Sequence, residues 1–252
     1  MPQQAAGQPE RVTEDRLFGG RLLLLQPARG HRAGTDAVLL AAATPPDAAR
    51  IADLGAASGI VGLRAAQIAP AARVLLVERD PALVALAEAN IARNGLAARV
   101  AARAADILAL GRAPDLREDF DLVLTNPPFL EAGRARVSAD ARRAEAHVLD
   151  GDLEGWLRAA ATLLAPRGRL VLIHRADALP ALIRAAGRRF GGLRLRFIHP
   201  TAEGTAIRVL MTGIKGSRAP LTVLPPLVLH GAGGAFTAEA AALHAGAAAI
   251  EP

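Results

Sequence analysis

The chain of 252 residues contains no cysteine and no tyrosine, and it has a single tryptophan. The absence of cysteine excludes disulfides, thiolate metal sites and a cysteine nucleophile. The six histidines lack the spacing of metal ligands, so we expect no metal centre. Aromatic residues account for only 3% of the chain, which argues against a broad base-stacking surface of the kind found in single-strand-binding proteins.

Long apolar runs are absent as well. No stretch approaches the roughly 20 apolar residues that cross a bilayer, and the opening residues have neither the basic head nor the apolar centre of an export signal. We therefore expect a cytoplasmic protein without a membrane partner. The length and the 52% hydrophobic content fit one main domain.

Composition divides the chain into three parts. We expect residues 1–13 to be disordered, residues 14–215 to form the main domain with an N-terminal cap, and residues 216–252 to form an extension that packs on this domain. The extension ends in an alanine-rich helix predicted over 237–248. It either covers a sheet edge or pairs two subunits, so a monomer and a homodimer both fit the sequence.

Apolar strands alternate with helical patterns along most of the chain. Strands are predicted near 50–54, 73–78, 98–103, 120–125, 168–174, 193–199 and 206–213, and helices near 59–69, 81–94, 152–164 and 176–187. This alternation predicts an α/β fold with a doubly wound, mainly parallel, seven-stranded sheet. The short link between the last two strands leaves no room for a helix, so we expect these two strands to form an antiparallel pair, with an antiparallel strand at one edge of the sheet.

The predicted strand at 120–125 runs directly into Asn126-Pro127-Pro128-Phe129. Ligands bind at the carboxyl edge of such a sheet. The side-chain oxygen of Asn126 and the carbonyl of Pro127 can both accept hydrogen bonds from one planar NH₂ group, and the prolines hold these acceptors still. Because Phe129 can stack on the ring that bears the amine, the segment predicts a site for a nucleobase or an amide. The alternative is a simple turn after a strand.

An earlier strand leads into a turn of small residues. Asp53 lies in the strand at 50–54, and Gly55, Ala57 and Gly59 lie in the turn before a predicted helix. Small residues let the backbone approach a ligand closely, and the helix start offers free N–H groups. The carboxylate of Asp53 would repel a pyrophosphate and attract a cationic amino-acid group, so charge favours S-adenosylmethionine over NAD.

Two further acidic residues follow predicted strands. Glu78 ends the strand at 73–78, where an acid commonly binds both ribose hydroxyls of a nucleotide cofactor. Asp106 follows the next strand and could accept a hydrogen bond from an adenine amino group, although aspartate is also an ordinary helix N-cap.

The order of these motifs resembles the class I S-adenosylmethionine-dependent methyltransferases of the amino-methylating group. Residues 15–40 also resemble the bacterial methyltransferases that modify the adenosine beside the anticodon of a valine tRNA, and residues 213–230 resemble a branch of that family. The similarity spans residues 14 to 248. Many relatives have glycine where this chain has Ala57, whose methyl group is harmless at negative φ and could weaken cofactor binding at positive φ.

The resemblance implies a class I, Rossmann-like methyltransferase that uses S-adenosylmethionine to methylate the exocyclic amine of an adenine in tRNA. The implied catalytic residues are Asn126, Pro127, Pro128 and Phe129. The implied cofactor-binding residues are Thr35, Asp36, Asp53, Gly55, Ala57, Gly59, Glu78, Asp106 and Asn126.

A formal charge of +6 and a pI near 11.2 are consistent with a polyanionic partner such as RNA. Candidate RNA contacts are the arginines of an early loop and those that follow the Asn-Pro-Pro-Phe segment, namely Arg29, Arg32, Arg134, Arg136, Arg142 and Arg143. The alternative for the last four is a solvated polar helix face at 136–147.

Three rival functions fit the same motifs. A release-factor glutamine methyltransferase acts on a primary amide, which also presents a planar NH₂ group, but its usual N-terminal helical substrate domain is not seen in this chain. Methylation of a guanine amine in ribosomal RNA is chemically close. The third rival, of another class, is a catalytically silent RNA-binding protein on a methyltransferase scaffold, given Ala57 in the cofactor turn.

Overall fold

A mainly parallel sheet crosses the molecule, and helices pack on both of its faces. The computed structural model describes residues 11–29, 32–110, 116–128 and 153–251. The described strands are β1 (Val12–Leu17), β2 (Leu22–Pro27), β3 (Arg50–Leu54), β4 (Arg73–Glu78), β5 (Val100–Ala104), β6 (Phe120–Thr125), β7 (Leu164–Arg175), β8 (Phe190–His199), β9 (Arg208–Lys215), β10 (Thr222–Val223) and β11 (Leu227–Val228). The described α-helices are α1 (Thr35–Ala42), α2 (Ile60–Ile68), α3 (Pro81–Arg93), α4 (Ile107–Leu110), α5 (153–163), α6 (Leu179–Ala186) and α7 (Ala238–His244).

The large sheet has nine strands in the order β10-β8-β9-β7-β6-β3-β4-β5, with β11 also paired to β8. Every pairing is parallel except those that β9 makes with β7 and β8. The predicted α/β class and the doubly wound, mainly parallel sheet are confirmed. Strands β3 to β9 are the seven predicted strands, and β8 and β9 form the expected antiparallel pair. The antiparallel strand β9 is not at the edge, because β8 pairs on its outer side and the short strands β10 and β11 extend the sheet beyond β8.

The N-terminal cap is a hairpin of β1 and β2 that forms a separate two-stranded sheet. Asn90 of α3 and Asn94, the C-cap of that helix, attach it to the main domain, since Asn90 Oδ1 accepts from Leu25 N at 2.7 Å and Asn94 Oδ1 accepts from Leu23 N at 3.0 Å. Residues 12 and 13, which were expected to be disordered, belong to β1 because they pair with residues 27 and 26 of β2. Residues 1–10 lie outside the described part.

The C-terminal extension lies along the β8 edge of the sheet and then against the helices beside the hairpin. After β10 and β11, the chain enters α7, and Ile250 N donates to the carbonyl of Ala42 at 3.0 Å. The guanidinium of Arg64, on α2, donates to the carbonyl of Gly246 at 2.8 Å. Of the two roles considered for this segment, the structure places it over a sheet edge of its own chain.

Two apolar cores lie on opposite faces of the sheet, one under α1, α2, α3 and α7 and the other under α5 and α6. Strands β3 and β6 are neighbours, and Leu54 pairs with Thr125 in their register. The small-residue turn and the Asn-Pro-Pro segment therefore leave the sheet side by side. Within the described residues, no helix has both the length and the apolar content needed to cross a membrane.

Candidate active site

The turn after β3 has three residues in the left-handed region of φ. These are Gly55 (+76°), Ala57 (+47°) and Gly59 (+94°). Glycine adopts this region freely, whereas an alanine there costs about 1–2 kcal/mol. Ala57 is therefore strained, and its positive φ is the case in which the methyl group could weaken cofactor binding.

Glu78 holds this strained turn. Its Oε2 accepts a hydrogen bond from Ala57 N at 3.0 Å, and its Oε1 accepts from Arg79 N at 2.8 Å and Asp80 N at 3.0 Å. The structure thus brings together two sequence motifs predicted to bind the cofactor. A carboxylate has about four acceptor sites, so Glu78 keeps acceptor capacity for a further donor such as a hydroxyl group.

The helix that follows the turn packs closely on β4. A Cβ added to Gly59 would lie 2.9 Å from Leu76 Cδ1, and one added to Gly62 would lie 2.2 Å from Leu76 Cδ2. Neither position has room for a side chain, which explains two of the glycines in this segment. The close packing fixes the start of α2 directly behind the turn.

Asp53 is 2% exposed, and its Oδ2 accepts from Gly62 N at 2.8 Å. Burial raises the pKa of this carboxyl to about 7; the hydrogen bond from Gly62 opposes the rise and the charge of Glu78 adds to it. Because the side chain is buried and bonded to the backbone of α2, its predicted effect on a cationic cofactor would be an electrostatic one. That role stays a prediction.

Asp106 is exposed, and its Oδ1 accepts from Leu108 N at 2.9 Å at the start of α4. This is the geometry of a helix N-cap, the alternative considered from the sequence. An adenine contact at the remaining acceptor sites of the carboxylate stays a prediction.

Asn126 follows β6 and lies next to the cofactor turn because Thr125 pairs with Leu54. Its side-chain Oδ1 is buried and has no hydrogen-bond partner among the described residues. Pro127 is buried and Pro128 is exposed, while Phe129 lies outside the described part. An unpaired buried acceptor costs about 1–3 kcal/mol, so this oxygen is suited to a donor supplied by a ligand.

Trp156, on α5, was not predicted as a site residue. Its Nε1 donates to Thr125 Oγ1 at 2.8 Å, and this hydroxyl donates to the carbonyl of Leu54 at 2.8 Å. The indole also lies against the turn, since a Cβ added to Gly55 would be 3.3 Å from its Cζ2. Trp156 therefore connects both strand ends of the site. The available signal was that a lone indole N–H in a buried helix needs a partner.

Thr35 and Asp36 begin α1, and no hydrogen bond joins either of them to the turn at 55–59 in the described residues. Asp36 is bound instead by Arg208 of β9, whose Nε lies 2.8 Å from its Oδ2. Both residues are partly exposed. Their contact with the cofactor stays a prediction.

The two described arginines of the RNA-binding set differ. The guanidinium of Arg32 is bound to the hairpin, because it donates to Thr13 Oγ1 at 2.8 Å, to the carbonyl of Pro27 at 2.9 Å and to Asp15 Oδ2 at 3.0 Å. Arg29 is exposed. The other predicted RNA contacts lie outside the described part: Arg134, Arg136, Arg142 and Arg143. No group of three or more potential metal ligands occurs in the described ranges.

Comparisons with known proteins agree with this geometry. The family model described as methyltransferase small domain matches residues 32–182. The tRNA1(Val) (adenine(37)-N6)-methyltransferase of Porphyromonas gingivalis is 33% identical over 222 residues, which cover 82% of this chain and 85% of the relative. The release factor glutamine methyltransferase of Cereibacter sphaeroides is 32% identical over 197 residues, 73% of this chain and 69% of the relative.

A solved structure from Agrobacterium tumefaciens, described as a predicted O-methyltransferase, matches with a TM-score of 0.71 at 34% identity over 85% of this chain and 98% of that chain. The fold and the neighbouring strand-end motifs define a class I, Rossmann-like methyltransferase. More narrowly, the chain belongs to the methyltransferase small-domain family, and it is an enzyme that uses S-adenosylmethionine. The predicted family, fold class, enzyme class and cofactor are confirmed.

The residues present fit this cofactor. The turn at 55–59 brings backbone rather than bulky side chains to the carboxyl edge of the sheet, and Glu78 at its rim has acceptor capacity for ribose hydroxyls. The buried, unpaired oxygen of Asn126 lies on the neighbouring strand end. A cofactor held by the turn would thus lie beside an acceptor for the group to be methylated.

Proposed function

We propose that the protein transfers a methyl group from S-adenosylmethionine to the exocyclic amine of an adenine in tRNA, beside the anticodon. The observation that carries the proposal is the buried Asn126 Oδ1 without a partner among the described residues, directly beside the cofactor turn. An N–H donor on the substrate would satisfy this oxygen. The name of the Porphyromonas gingivalis relative supports the same substrate.

The chain's own contribution is to position the amine. Asn126 Oδ1 and the carbonyl of Pro127 would each accept a hydrogen bond from one N–H of the amine, and the rigid prolines would keep these acceptors in place. This directs the nitrogen lone pair away from the ring and toward the sulfonium methyl group that S-adenosylmethionine supplies. Because an amine can lose its proton after the transfer, no general base is required, and none is assigned.

The base would stack on Phe129, and Arg29, Arg134, Arg136, Arg142 and Arg143 would contact phosphates. Such a substrate fits the positive charge of the chain. A cytoplasmic location, where tRNA is abundant, belongs to the same proposal.

The second candidate is methylation of a release-factor glutamine. Its support is the 32% identity to the Cereibacter sphaeroides enzyme and the fact that a primary amide presents the same NH₂ geometry to Asn126.

A direct test offers purified protein and labelled S-adenosylmethionine to total tRNA, ribosomal RNA and a release factor in parallel. We expect label in tRNA, recovered as N6-methyladenosine. In a strain that lacks the gene, we expect this modified nucleoside to be missing from the corresponding tRNA. Label in the release factor or in a guanine of ribosomal RNA would contradict the adenine assignment.

A further inference from the structure

The edge of the sheet opposite the active site carries a row of arginines. Arg50 begins β3 and pairs in register with Arg73, which begins β4. Arg99 directly precedes β5 and lies next to Arg73, because Val74 N donates to the carbonyl of Arg99 at 2.8 Å. Neighbouring strands are about 4.8 Å apart, so three cationic residues lie side by side.

These three arginines line one groove of about 310 Å³ on the α5 side of the sheet. Its apolar lining includes Leu75 and Phe120. Arg50 and Arg73 are exposed and Arg99 is partly exposed, so the guanidinium groups are within reach of a partner in solvent.

The charge of the groove is only partly balanced. Arg50 forms an ion pair with Asp119, and its guanidinium lies 6.0 Å from the centre of the Phe120 ring. Arg73 and Arg99 have no acidic partner among the described residues, and Arg99 makes one long hydrogen bond, 3.5 Å, to the carbonyl of Ala72. Like charges on neighbouring strands are destabilising. An anion between Arg73 and Arg99 would offset this repulsion.

We infer that Arg73 and Arg99 bind a phosphodiester segment of the RNA substrate. This inference rests on the proposed RNA function and adds a second contact surface to it. A row of arginines at the starts of three neighbouring strands suits a chain of phosphates better than it suits one enclosed anion. Each guanidinium can also bind a phosphate through two parallel hydrogen bonds. Five residues of β3 at about 3.3 Å each separate the two edges by roughly 17 Å. The bound phosphates are therefore several nucleotides away from the modified base.

The test is the double variant Arg73→Ala, Arg99→Ala, with Arg50 left in place. We expect its Kd for full-length tRNA to rise about tenfold and the slope of log K against log salt to fall by roughly 1.5 to 2, as expected for two lost phosphate contacts. KM for tRNA should rise with kcat unchanged, because neither residue is near the methyl-transfer site. The charge-preserving pair Arg73→Lys, Arg99→Lys should keep the salt slope and more of the affinity than the alanine pair, because it retains both charges but loses the parallel hydrogen bonds.

The matched control is Arg188→Ala with Arg218→Ala, two exposed arginines that do not line the groove. If the groove variant and the control bind tRNA equally well while the wild type methylates tRNA, the groove assignment is wrong and the proposed function stands. If the wild type neither binds nor methylates tRNA, both fall. Should the alanine pair lose thermal stability, the pair Arg73→Gln, Arg99→Gln removes the charge with less loss of side-chain contact and decides the same question.

Discussion

The site has a cofactor half, made of Asp53, the turn at 55–59, Glu78 and Asp106, and an acceptor half, the segment that begins at Asn126. The two halves differ in whether their polar side chains already have hydrogen-bond partners in the protein. On the cofactor side, the carboxylates of Asp53, Glu78 and Asp106 all accept hydrogen bonds from backbone N–H groups of the protein. On the acceptor side, Asn126 Oδ1 is buried and has no partner in the described residues. Within the described residues, the acceptors of the first half are already bonded to the protein and that of the second half is not.

This difference indicates what each half contributes. Internal hydrogen bonds hold the turn at 55–59 in a strained shape, so a cofactor meets a preformed surface and little ordering is needed on binding. A buried acceptor without a partner in the described part of the chain, such as Asn126 Oδ1, is expected where a substrate completes the hydrogen bonding. The comparison can be tested by altering each half separately.

The largest effect is expected from Asn126→Ala. Loss of the acceptor that orients the amine should lower kcat by about 10²–10³-fold, comparable to removal of one positioned polar group in other active sites. Affinity for S-adenosylmethionine, measured by calorimetry, should change by no more than severalfold. Folding stability should stay equal or rise, because the variant removes an unsatisfied buried oxygen.

A large loss of kcat without a loss of cofactor affinity or folding stability would show that Asn126 acts in catalysis and not in holding the fold. Asn126→Asp retains an acceptor oxygen and should keep more activity than Asn126→Ala. An alanine variant that turns over normally, or one that loses activity only because it unfolds, would show that the two halves do not differ as described.

The next largest effect is expected from Asp53→Asn, which should change how folding stability depends on pH. The native carboxyl has a pKa of about 7, against 3.8 for an ordinary aspartate. Between these values the native state holds a proton that the unfolded state has lost, so wild-type stability should fall as the pH rises from about 4 to 7 and then level off. The variant should lack this decline and be more stable at pH 8 by a few kcal/mol in urea unfolding, while the two proteins are similar at pH 4.

If Asp53 retains its buried charge for a cationic cofactor, Asp53→Asn should also weaken S-adenosylmethionine binding about tenfold at pH 8. Gain of stability with unchanged affinity would assign Asp53 a purely structural role. Equal pH slopes for the two proteins would mean that the carboxyl titrates normally.

The sequence predicted those features that depend on local pattern. The strand at 73–78 and the helix predicted near 81–94 were recognisable because a short apolar run favours a strand and the Asn-Gly pair at 94–95 favours a helix end. The neighbouring positions of Gly55 and Asn126 depend on the order of the strands in the sheet, which places β3 beside β6 and is not a local pattern.

Other features depend on contacts between distant residues and were not predictable in this way. Trp156 joins the site only because α5 brings its indole to Thr125, and Arg32 binds Asp15 only because of the hairpin register. The interior position of β9 and the two short strands beyond β8 reflect pairing choices that leave no periodic signal in the segments concerned.

The smallest effect is expected from Ala57→Gly, a variant that tests whether the cofactor turn is strained at this residue. Ala57 has a φ of +47°, so Ala57→Gly should relieve about 1–2 kcal/mol of strain, of which greater freedom of the unfolded chain cancels about 0.4–1 kcal/mol. We expect a net gain near 0.5–1 kcal/mol in chemical unfolding and equal or tighter binding of S-adenosylmethionine. The matched control is Ala56→Gly, whose φ is not positive. It should lose stability by about 0.5–1 kcal/mol, and destabilisation by both substitutions would mean that the turn is not strained at Ala57.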